Sequence, residues 1–160
     1  MARDLGLSRS CAERVKLVPA SAAHVGRIAT RMRDADRAEV RALGHTPKQA
    51  LRLALVGSSW AVTAMINGSP HGMFGVTPVA PWKGEPWFLG TNLIYQERRA
   101  MLVLGQRAVD QMQAQFSKLG NVVSVHNERA IRLLERWGFT VGADVQVIGD
   151  LEFRQFWRAR

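Results

Sequence analysis

Apolar positions along the chain recur at two different spacings, and the change of spacing predicts the order of the elements. Over residues 21–43 they return every three or four positions, which is typical of a helix that buries one face. This helix is predicted to begin after Ser21 and to break near residues 34–36. A further helix is expected to begin at Thr46-Pro47, because Thr is a favoured N-cap and Pro suits the first helical position.

The middle of the chain changes to the patterns of β-strands. Residues 58–80 predict a hairpin with its turn at "NGSPHG", and "PWKGEP" predicts a second turn. The nearly continuous apolar segment "WFLGTNLI" (87–94) is typical of a buried central strand. The remaining predicted elements are an edge strand at 14–20, a helix at 98–116, a strand at 121–125, a helix after it and a final antiparallel pair. The order β-αα-βββ-α-β-α-ββ predicts a mixed α/β sheet with helices on both faces.

The segment "HNERAIRLLERWGF" (126–139) predicts a well-capped amphipathic helix. Asn127 suits the N-cap, and Glu128 places a negative charge in the first turn, where the helix dipole favours it. Gly138 suits the left-handed residue that ends a helix, and Phe139 is expected to pack back against it. The solvated face of the helix is predicted to contain Arg129, Arg132, Glu135 and Arg136.

The length of the chain limits the number of domains, and its charge limits the partners that it can be expected to bind. The 160 residues predict a leader at 1–13 and a single domain at 14–160. The net charge is +9, but the arginines are spread along the chain and interleaved with acidic residues, which is typical of solvated helix faces. Nucleic-acid binding is therefore not expected, whereas an anionic cofactor or an acidic partner suits the surface.

The sequence lacks the features that membrane-spanning, secreted and metal-binding proteins require. No apolar run is long enough to span a membrane, and the N-terminal stretch lacks the apolar core of a secretory signal. A lone Cys11 cannot form an internal disulfide, so a cytoplasmic location is expected. The four histidines are scattered at spacings that do not suit a metal site.

The order of the elements and one motif together indicate a family. In "VHNERAIRLLERWGF", a strand ends in an N-x-x-A stretch (Asn127, Ala130), and the following helix closes with Gly138 and Phe139. This pattern resembles the last part of the core of the Gcn5-related N-acetyltransferases, the GNAT family. The resemblance implies a GNAT fold: a mixed, mostly antiparallel sheet with helices on both faces and two splayed parallel central strands, here 87–94 and 121–125.

The resemblance also implies a cofactor and a reaction. Acetyl-CoA would lie in the gap between the splayed strands, and its acetyl group would be transferred to an amine on a small molecule or a protein. The pyrophosphate would meet the N-terminus of the next helix, near Arg98 and Arg99, where free amides favour anions. Asn127 would lie near the thioester. The backbone expected along the cofactor belongs to Thr91, Asn92, Leu93 and Ile94.

The sequence departs from the family pattern at two places. The family's phosphate loop reads Q/R-x-x-G-x-G/A, because glycine lets the backbone approach the pyrophosphate closely. Here Leu102 and Leu104 stand at the small positions and are expected to obstruct that approach. Many members also place a Tyr acid at the position that Leu134 occupies. The only tyrosine, Tyr95, is not an obvious replacement.

The general base is left open by the sequence. It must reach the acceptor amine directly or through one water molecule. The resemblance implies that the acceptor approaches from the side built by residues around 34–46 and the hairpin, and Asp36 and Glu39 lie on that side. Glu85 precedes the central strand, and His126 lies beside the expected thioester. For each of them, a surface or capping role is the alternative to catalysis.

A narrower resemblance covers "DADRAEVRALGHTP", "GMFGV", "EPWFLGT" and "LEFRQFW". These segments are similar to those of small GNAT-like proteins from short-tailed phages, which are associated with the virion interior and with particle assembly. The resemblance implies phage virion proteins as partners, in the host cytoplasm or the virion. The alternative function is therefore a non-catalytic assembly protein, with an exposed apolar patch that involves Trp82 and Trp157.

Overall fold

The computed structural model describes residues 14–160, which form a single seven-stranded sheet with helices on both faces. The predicted leader at 1–13 lies outside the described residues. The strands are β1 (Val15–Pro19), β2 (Trp60–Ile66), β3 (Ser69–Ala80), β4 (Lys83–Gly90), β5 (Lys118–Ser124), β6 (Thr140–Ile148) and β7 (Leu151–Ala159). The helices are α1 (Val25–Thr30), α2 (Asp34–Ala42), α3 (Pro47–Gly57), α4 (Asn92–Gln96), α5 (Arg98–Gln115) and α6 (Glu128–Arg136).

The sheet has the order β1-β2-β3-β4-β5-β7-β6, and β4–β5 is its parallel pair. Only two residue pairs, Lys83 with Lys118 and Gly84 with Leu119, are in register between β4 and β5. Beyond them the two strands separate, so the predicted splayed pair at the centre of the sheet is confirmed. The predicted bounds were wrong, because β4 begins and ends four residues earlier than the apolar run 87–94.

The turns in the middle of the chain are shorter than predicted. Only Asn67 and Gly68 connect β2 to β3, and both have positive φ, at 49° and 80°. A two-residue turn of this kind follows the twist of the flanking strands. Most of the predicted turn "PWKGEP" belongs to β4. Pro86 fits there because its missing N–H faces no partner strand, and its carbonyl accepts a hydrogen bond from Asn121 Nδ2 at 3.0 Å.

The first helical segment breaks three residues before Asp34. Arg33 is extended, with φ −55° and ψ 146°, and donates its N–H to the carbonyl of Gly90 at 2.9 Å. Met32 forms a bridge with Thr91. The Arg37 side chain donates to the carbonyls of Ala29, Thr30 and Met32, which satisfies the end of α1. The break therefore anchors the start of α2 to the end of β4.

The core has a layer on each face of the sheet. On one face, α1 and α3 bury Ile28 and Leu51 against Met73 of β3. On the other face, α5 packs against the sheet and against Trp137 at the end of α6. The indole N–H of Trp137 donates to the carbonyl of Met101 at 3.2 Å, and the ring lies directly over Gly105. These contacts fix α6 relative to α5.

Candidate functional site

The gap between β4 and β5 is covered by α2, which places two carboxylates at the ends of the two strands. Asp36 Oδ2 accepts the N–H of Gly90, the last residue of β4, at 3.0 Å. Glu39 Oε1 accepts the N–H of Ser124, the last residue of β5, at 3.0 Å. Because Asp36 and Glu39 lie three positions apart, they project from the same side of the helix. The opening between the strands is thus bounded by acidic side chains.

A buried hydrogen-bond network links these carboxylates. Arg33 forms an ion pair with Asp36 at 3.0 Å, and its second terminal nitrogen donates to Asn127 Oδ1 at 3.3 Å. Asn127 Nδ2 donates to Glu39 Oε1 at 3.0 Å. Asn127 does occupy the N-cap position of α6, but its side chain makes no capping hydrogen bond. The predicted capping role was wrong, because the side chain turns inward to join Arg33 and Glu39.

The rest of the predicted cap of α6 is confirmed. Gly138 has φ 89°, its N–H donates to the carbonyl of Glu135, and the N–H of Phe139 donates to the carbonyl of Leu134. These two bonds form the motif in which a left-handed glycine closes a helix. Phe139 is buried, in edge contact with Phe156.

Burial raises the proton affinity of both carboxylates. It raises the pKa of Asp36 to about 7, although Arg33 and the Gly90 amide act in the opposite direction. Burial also raises the pKa of Glu39, opposed by its hydrogen bonds from Asn127 and Ser124. Both of these bonds end on Oε1. Oε2 of Glu39 is therefore the oxygen that remains to accept a hydrogen bond from a ligand.

A cavity of about 350 Å³ extends from this network through the gap between β4 and β5, with lining residues from α2 and α3 on one face of the sheet and from α6 on the other. Its lining residues include three carboxylates, Asp36, Glu39 and Glu85, together with His45, and they include no Lys or Arg. Apolar side chains from α2, α3, α6, β4, β5 and β7 make up much of the remaining wall. We call it the acidic cavity.

A second cavity, of about 440 Å³, lies between the start of α5 and the exposed face of α6. Half of its lining residues are arginines, and none is acidic. The complete lining is Tyr95, Arg98, Met101, Leu102, Arg129, Arg132, Leu133 and Arg136. We call it the arginine cavity. Its charge suits an anion with several negative groups.

The two cavities share Tyr95 and Leu133 as lining residues, so they adjoin at that point. The Tyr95 ring is buried, and the Arg33 guanidinium carbon lies 3.6 Å from its centre. Burial and, after it, the nearby Asp36 raise the pKa of Tyr95, so the hydroxyl keeps its proton at neutral pH. Among the described residues, no hydrogen bond engages this hydroxyl.

The predicted base candidates are not all brought together. Glu39 and Glu85 line the acidic cavity, and so does Asp36. His126 is exposed and lines neither cavity. Of the residues predicted to hold the cofactor, Asn127 lines the acidic cavity and Arg98 lines the arginine cavity. Arg99 is exposed and lines neither.

The prediction that Thr91, Asn92, Leu93 and Ile94 continue the central strand was wrong. Strand β4 ends at Gly90, and the chain turns into α4. Thr91 N–H donates to the carbonyl of His71 at 2.9 Å, and Thr91 Oγ1 lies 2.9 Å from His71 Nδ1. Ile94 is completely buried in the core, and none of the four residues lines either cavity. The apolar run therefore combines a strand with a buried helical turn.

The three leucines at which the sequence departs from the family pattern lie in different surroundings. Leu102 lines the arginine cavity but leaves it open, whereas Leu104 packs against the hydrophobic core. Leu134 lines the acidic cavity, so no acid stands at that position. The structure instead places Tyr95, from another element, at the junction of the two cavities.

Sequence patterns did not single out Arg33, Tyr95 or the arginines of α6 as site residues. Arg129, Arg132 and Arg136 follow one another at spacings of three and four, which places them on one face of a helix. This spacing was the available signal for a positive surface. No local pattern could indicate the pairing of Arg33 with Asn127, because they are 94 positions apart.

Among residues 14–160, no group of His, Cys, Asp and Glu is arranged to hold a metal ion. No helix in this part of the chain is long and apolar enough to cross a membrane.

Solved structures share this fold at low sequence identity. A GCN5-related N-acetyltransferase from Kribbella flavida matches with a TM-score of 0.68 and 17% identity, over 93% of this chain and 99% of the other. Ribosomal-protein-alanine N-acetyltransferase from Brucella melitensis matches with a TM-score of 0.66 and 14% identity, over 91% and 99%. The aminoglycoside acetyltransferase AAC(6')-Ib, in complex with ribostamycin and coenzyme A, matches with a TM-score of 0.63 and 18% identity, over 92% and 94%.

No family model and no curated protein matches the sequence. The three structures do not bear on the narrower resemblance to phage proteins, which stays a prediction. They share the overall fold over more than nine-tenths of this chain. The chain thus has the GNAT fold.

Proposed function

We propose that this protein transfers an acetyl group from acetyl-CoA to an amine. The observation that supports this most strongly is the separation of charge between two adjoining cavities. In a chain with 22 Lys and Arg against 13 Asp and Glu, the acidic cavity is lined by three carboxylates and no Lys or Arg. The arginine cavity is lined by four arginines and no carboxylate. A cationic acceptor and an anionic donor suit these two sites.

The arginine cavity fits the phosphate groups of coenzyme A. Arg98 lies in the first turn of α5, where unpaired amides also favour anions, and the other three arginines face it from α6. Side-chain charge would then replace the close backbone approach that glycines give in the family's phosphate loop. The similar aminoglycoside acetyltransferase structure contains coenzyme A, which supports the same cofactor here.

When bound, acetyl-CoA supplies an acyl group activated as a thioester. We assign Glu39 as the general base that takes the proton of the acceptor amine on Oε2. An ammonium ion must lose a proton before it can act as a nucleophile, and a carboxylate with a raised pKa is a stronger base than an exposed one. The buried Asn127 and the Ser124 amide hold Oε1 and therefore fix the orientation of the carboxylate.

We assign Tyr95 as the hydrogen-bond donor for the leaving sulfur. A group that reaches from the arginine cavity into the acidic cavity would lie against Tyr95 and Leu133, because both cavities are lined by these residues. The raised pKa of Tyr95 keeps its hydroxyl protonated, so it can donate. This role would compensate for Leu134 at the position where many GNAT enzymes have tyrosine.

Cofactor binding can be tested by thermal unfolding with coenzyme A. A ligand that binds only the native state at 100 times its Kd stabilises it by about 2.7 kcal/mol. For a chain of this size that corresponds to a rise in Tm of about 5–10 °C. The double variant Arg132→Gln/Arg136→Gln should lose most of this rise, whereas Arg107→Gln, an exposed α5 residue outside both cavities, should keep it. No rise for the wild-type protein at millimolar coenzyme A would contradict the proposal.

The non-catalytic assembly role remains the second candidate. Trp82 and Trp157 are 56% and 37% exposed. An assembly protein is expected to expose apolar side chains of this kind in its contact surface. It would be favoured by co-purification with virion proteins together with an absence of coenzyme A binding. Acetylation of an amine by the purified protein would count against it.

A further inference from the structure

We infer that the acceptor is a linear aliphatic amine with a second positive charge at its far end. This inference rests on the proposed function, since it names the substrate class of the acidic cavity. It depends on one feature that catalysis by Glu39 does not require: a second carboxylate, Glu85, lines the same cavity far from Glu39.

The strand register gives the separation of the two carboxylates. Gly84 of β4 pairs with Leu119 of β5, so Ser124 lies about level with Leu89, four positions beyond Glu85. Glu39 is bonded to the Ser124 amide. At about 3.3 Å per residue, Glu39 and Glu85 are attached to points about 13 Å apart along the strands.

The part of the wall that β4 and α3 form between the two carboxylates is apolar, although His45, Thr77 and Asn121 also line the cavity. Glu85, Trp87 and Leu89 alternate along β4 and therefore project from the same face of the sheet. Trp87 and Leu89 pack with the α1–α3 core layer on that face, and Trp87 donates its N–H to Ser58 Oγ at 2.8 Å. Leu53 of α3 completes this wall and is 58% exposed. A chain of methylene groups suits such a surface better than a hydroxylated or branched amine.

Glu85 is available to bind a cation. It is partly buried, and no ion pair or hydrogen bond within residues 14–160 engages its side chain. A net charge of +9 opposes the approach of a dication, so a carboxylate at each end of the cavity provides the compensating attraction. The geometry thus points to an α,ω-diamine, with one ammonium group at Glu39 and the other at Glu85.

The length of the acceptor follows from the same separation. A chain of single bonds of about 1.5 Å advances about 1.25 Å per bond when extended, so about ten bonds cover 13 Å. Each glutamate side chain takes up part of that span. Diamines with about six to nine carbons are therefore expected to bind best, and 1,4-diaminobutane is expected to be too short to reach both carboxylates.

Calorimetric titration of the full chain, without any coenzyme A, tests this inference. We expect 1,8-diaminooctane to bind about tenfold more tightly than octylamine. The Glu85→Gln variant should reduce the affinity for the diamine to about that for octylamine. Glu152→Gln removes an exposed carboxylate outside both cavities and should keep the tenfold preference. Equal affinities for the diamine and octylamine in the wild-type protein, or an unchanged preference in Glu85→Gln, would overturn the inference.

Failure of this inference can be distinguished from failure of the proposed function. If the diamine preference is found but coenzyme A does not bind, the acidic cavity is a diamine site and the acetyltransferase proposal is wrong. If octylamine and 1,8-diaminooctane are acetylated equally well, the acetyltransferase proposal stands and the role of Glu85 is refuted.

Discussion

Replacing Arg33 with methionine tests whether the buried network holds the candidate site together. The guanidinium is buried, pairs with Asp36 at 3.0 Å and lies over the Tyr95 ring at 3.6 Å. Methionine keeps an unbranched apolar side chain but removes the charge. In Arg33→Met the Asp36 side chain would keep the Gly90 amide and the Asn127 side chain as its polar partners. Burial would then hold Asp36 in its neutral form.

The expected loss is large and depends on pH. Removing one partner of a buried ion pair destabilises a protein by about 3–5 kcal/mol. Asp36 has a pKa raised to about 7, so the ionic attraction to Arg33 is present above that pH and is lost as the pH falls below it. We therefore expect the full loss at pH 8.5 and a loss smaller by about 1–2 kcal/mol at pH 6, where Asp36 is largely protonated.

Urea unfolding at both pH values measures this difference. The matched control is Arg52→Met on α3, where the arginine is exposed and makes no ion pair within residues 14–160, and its effect should be below about 0.5 kcal/mol. In the double variant Arg33→Met/Asp36→Asn, the coupling between the two sites should be about 2 kcal/mol. A loss that is the same at pH 6 and pH 8.5, together with additive single losses, would refute the electrostatic reasoning.

Three further outcomes follow from the same structure. The pKa of Asp36 in the folded state is raised from 3.8 to about 7, so the free energy of unfolding should fall on the order of 4 kcal/mol as the pH rises through that range. Asp36→Asn should flatten this dependence of the free energy of unfolding on pH, as measured by urea unfolding. Gly105→Ala should destabilise the protein by about 1–3 kcal/mol, since its Cβ would overlap the Trp137 ring. Gly26→Ala, whose Cβ would meet no atom within 4 Å, should be neutral or stabilising in thermal unfolding. Glu39→Gln should lower kcat by about 100-fold or more while the Kd for coenzyme A changes less than twofold; an equal loss of coenzyme A affinity would instead indicate a binding role.

Local sequence patterns predicted the position of an element correctly where that position is determined by the element's own residues. The α6 segment, the Thr46-Pro47 helix start and the final antiparallel pair lie where the sequence predicted them. The run 87–94 was assigned to a single strand because its apolar residues are nearly continuous. In the structure β4 ends at Gly90, whose carbonyl accepts the N–H of Arg33, and Thr91 forms a bridge with Met32 before the chain enters α4. A tertiary contact of this kind overrides the local preference.

The candidate site was less predictable than the fold because its contacts are long-range. Glu39 and Asn127 were both expected near the reaction, but their hydrogen bond joins residues 88 positions apart. Arg33 and Tyr95 meet through the packing of α2 on the end of β4. The charge separation between the cavities also depends on this packing, so no single segment of the sequence shows it.

Acetylation of an amine by the purified full chain tests the central claim most directly. The protein would be mixed with acetyl-CoA and either octylamine or 1,8-diaminooctane, and the products followed by mass spectrometry. The account predicts acetylated amine with the wild-type protein, and much less of it with Glu39→Gln and with Arg132→Gln/Arg136→Gln. Product at the uncatalysed rate with the wild-type protein, or unchanged rates in both variants, would contradict the assignment of the two cavities.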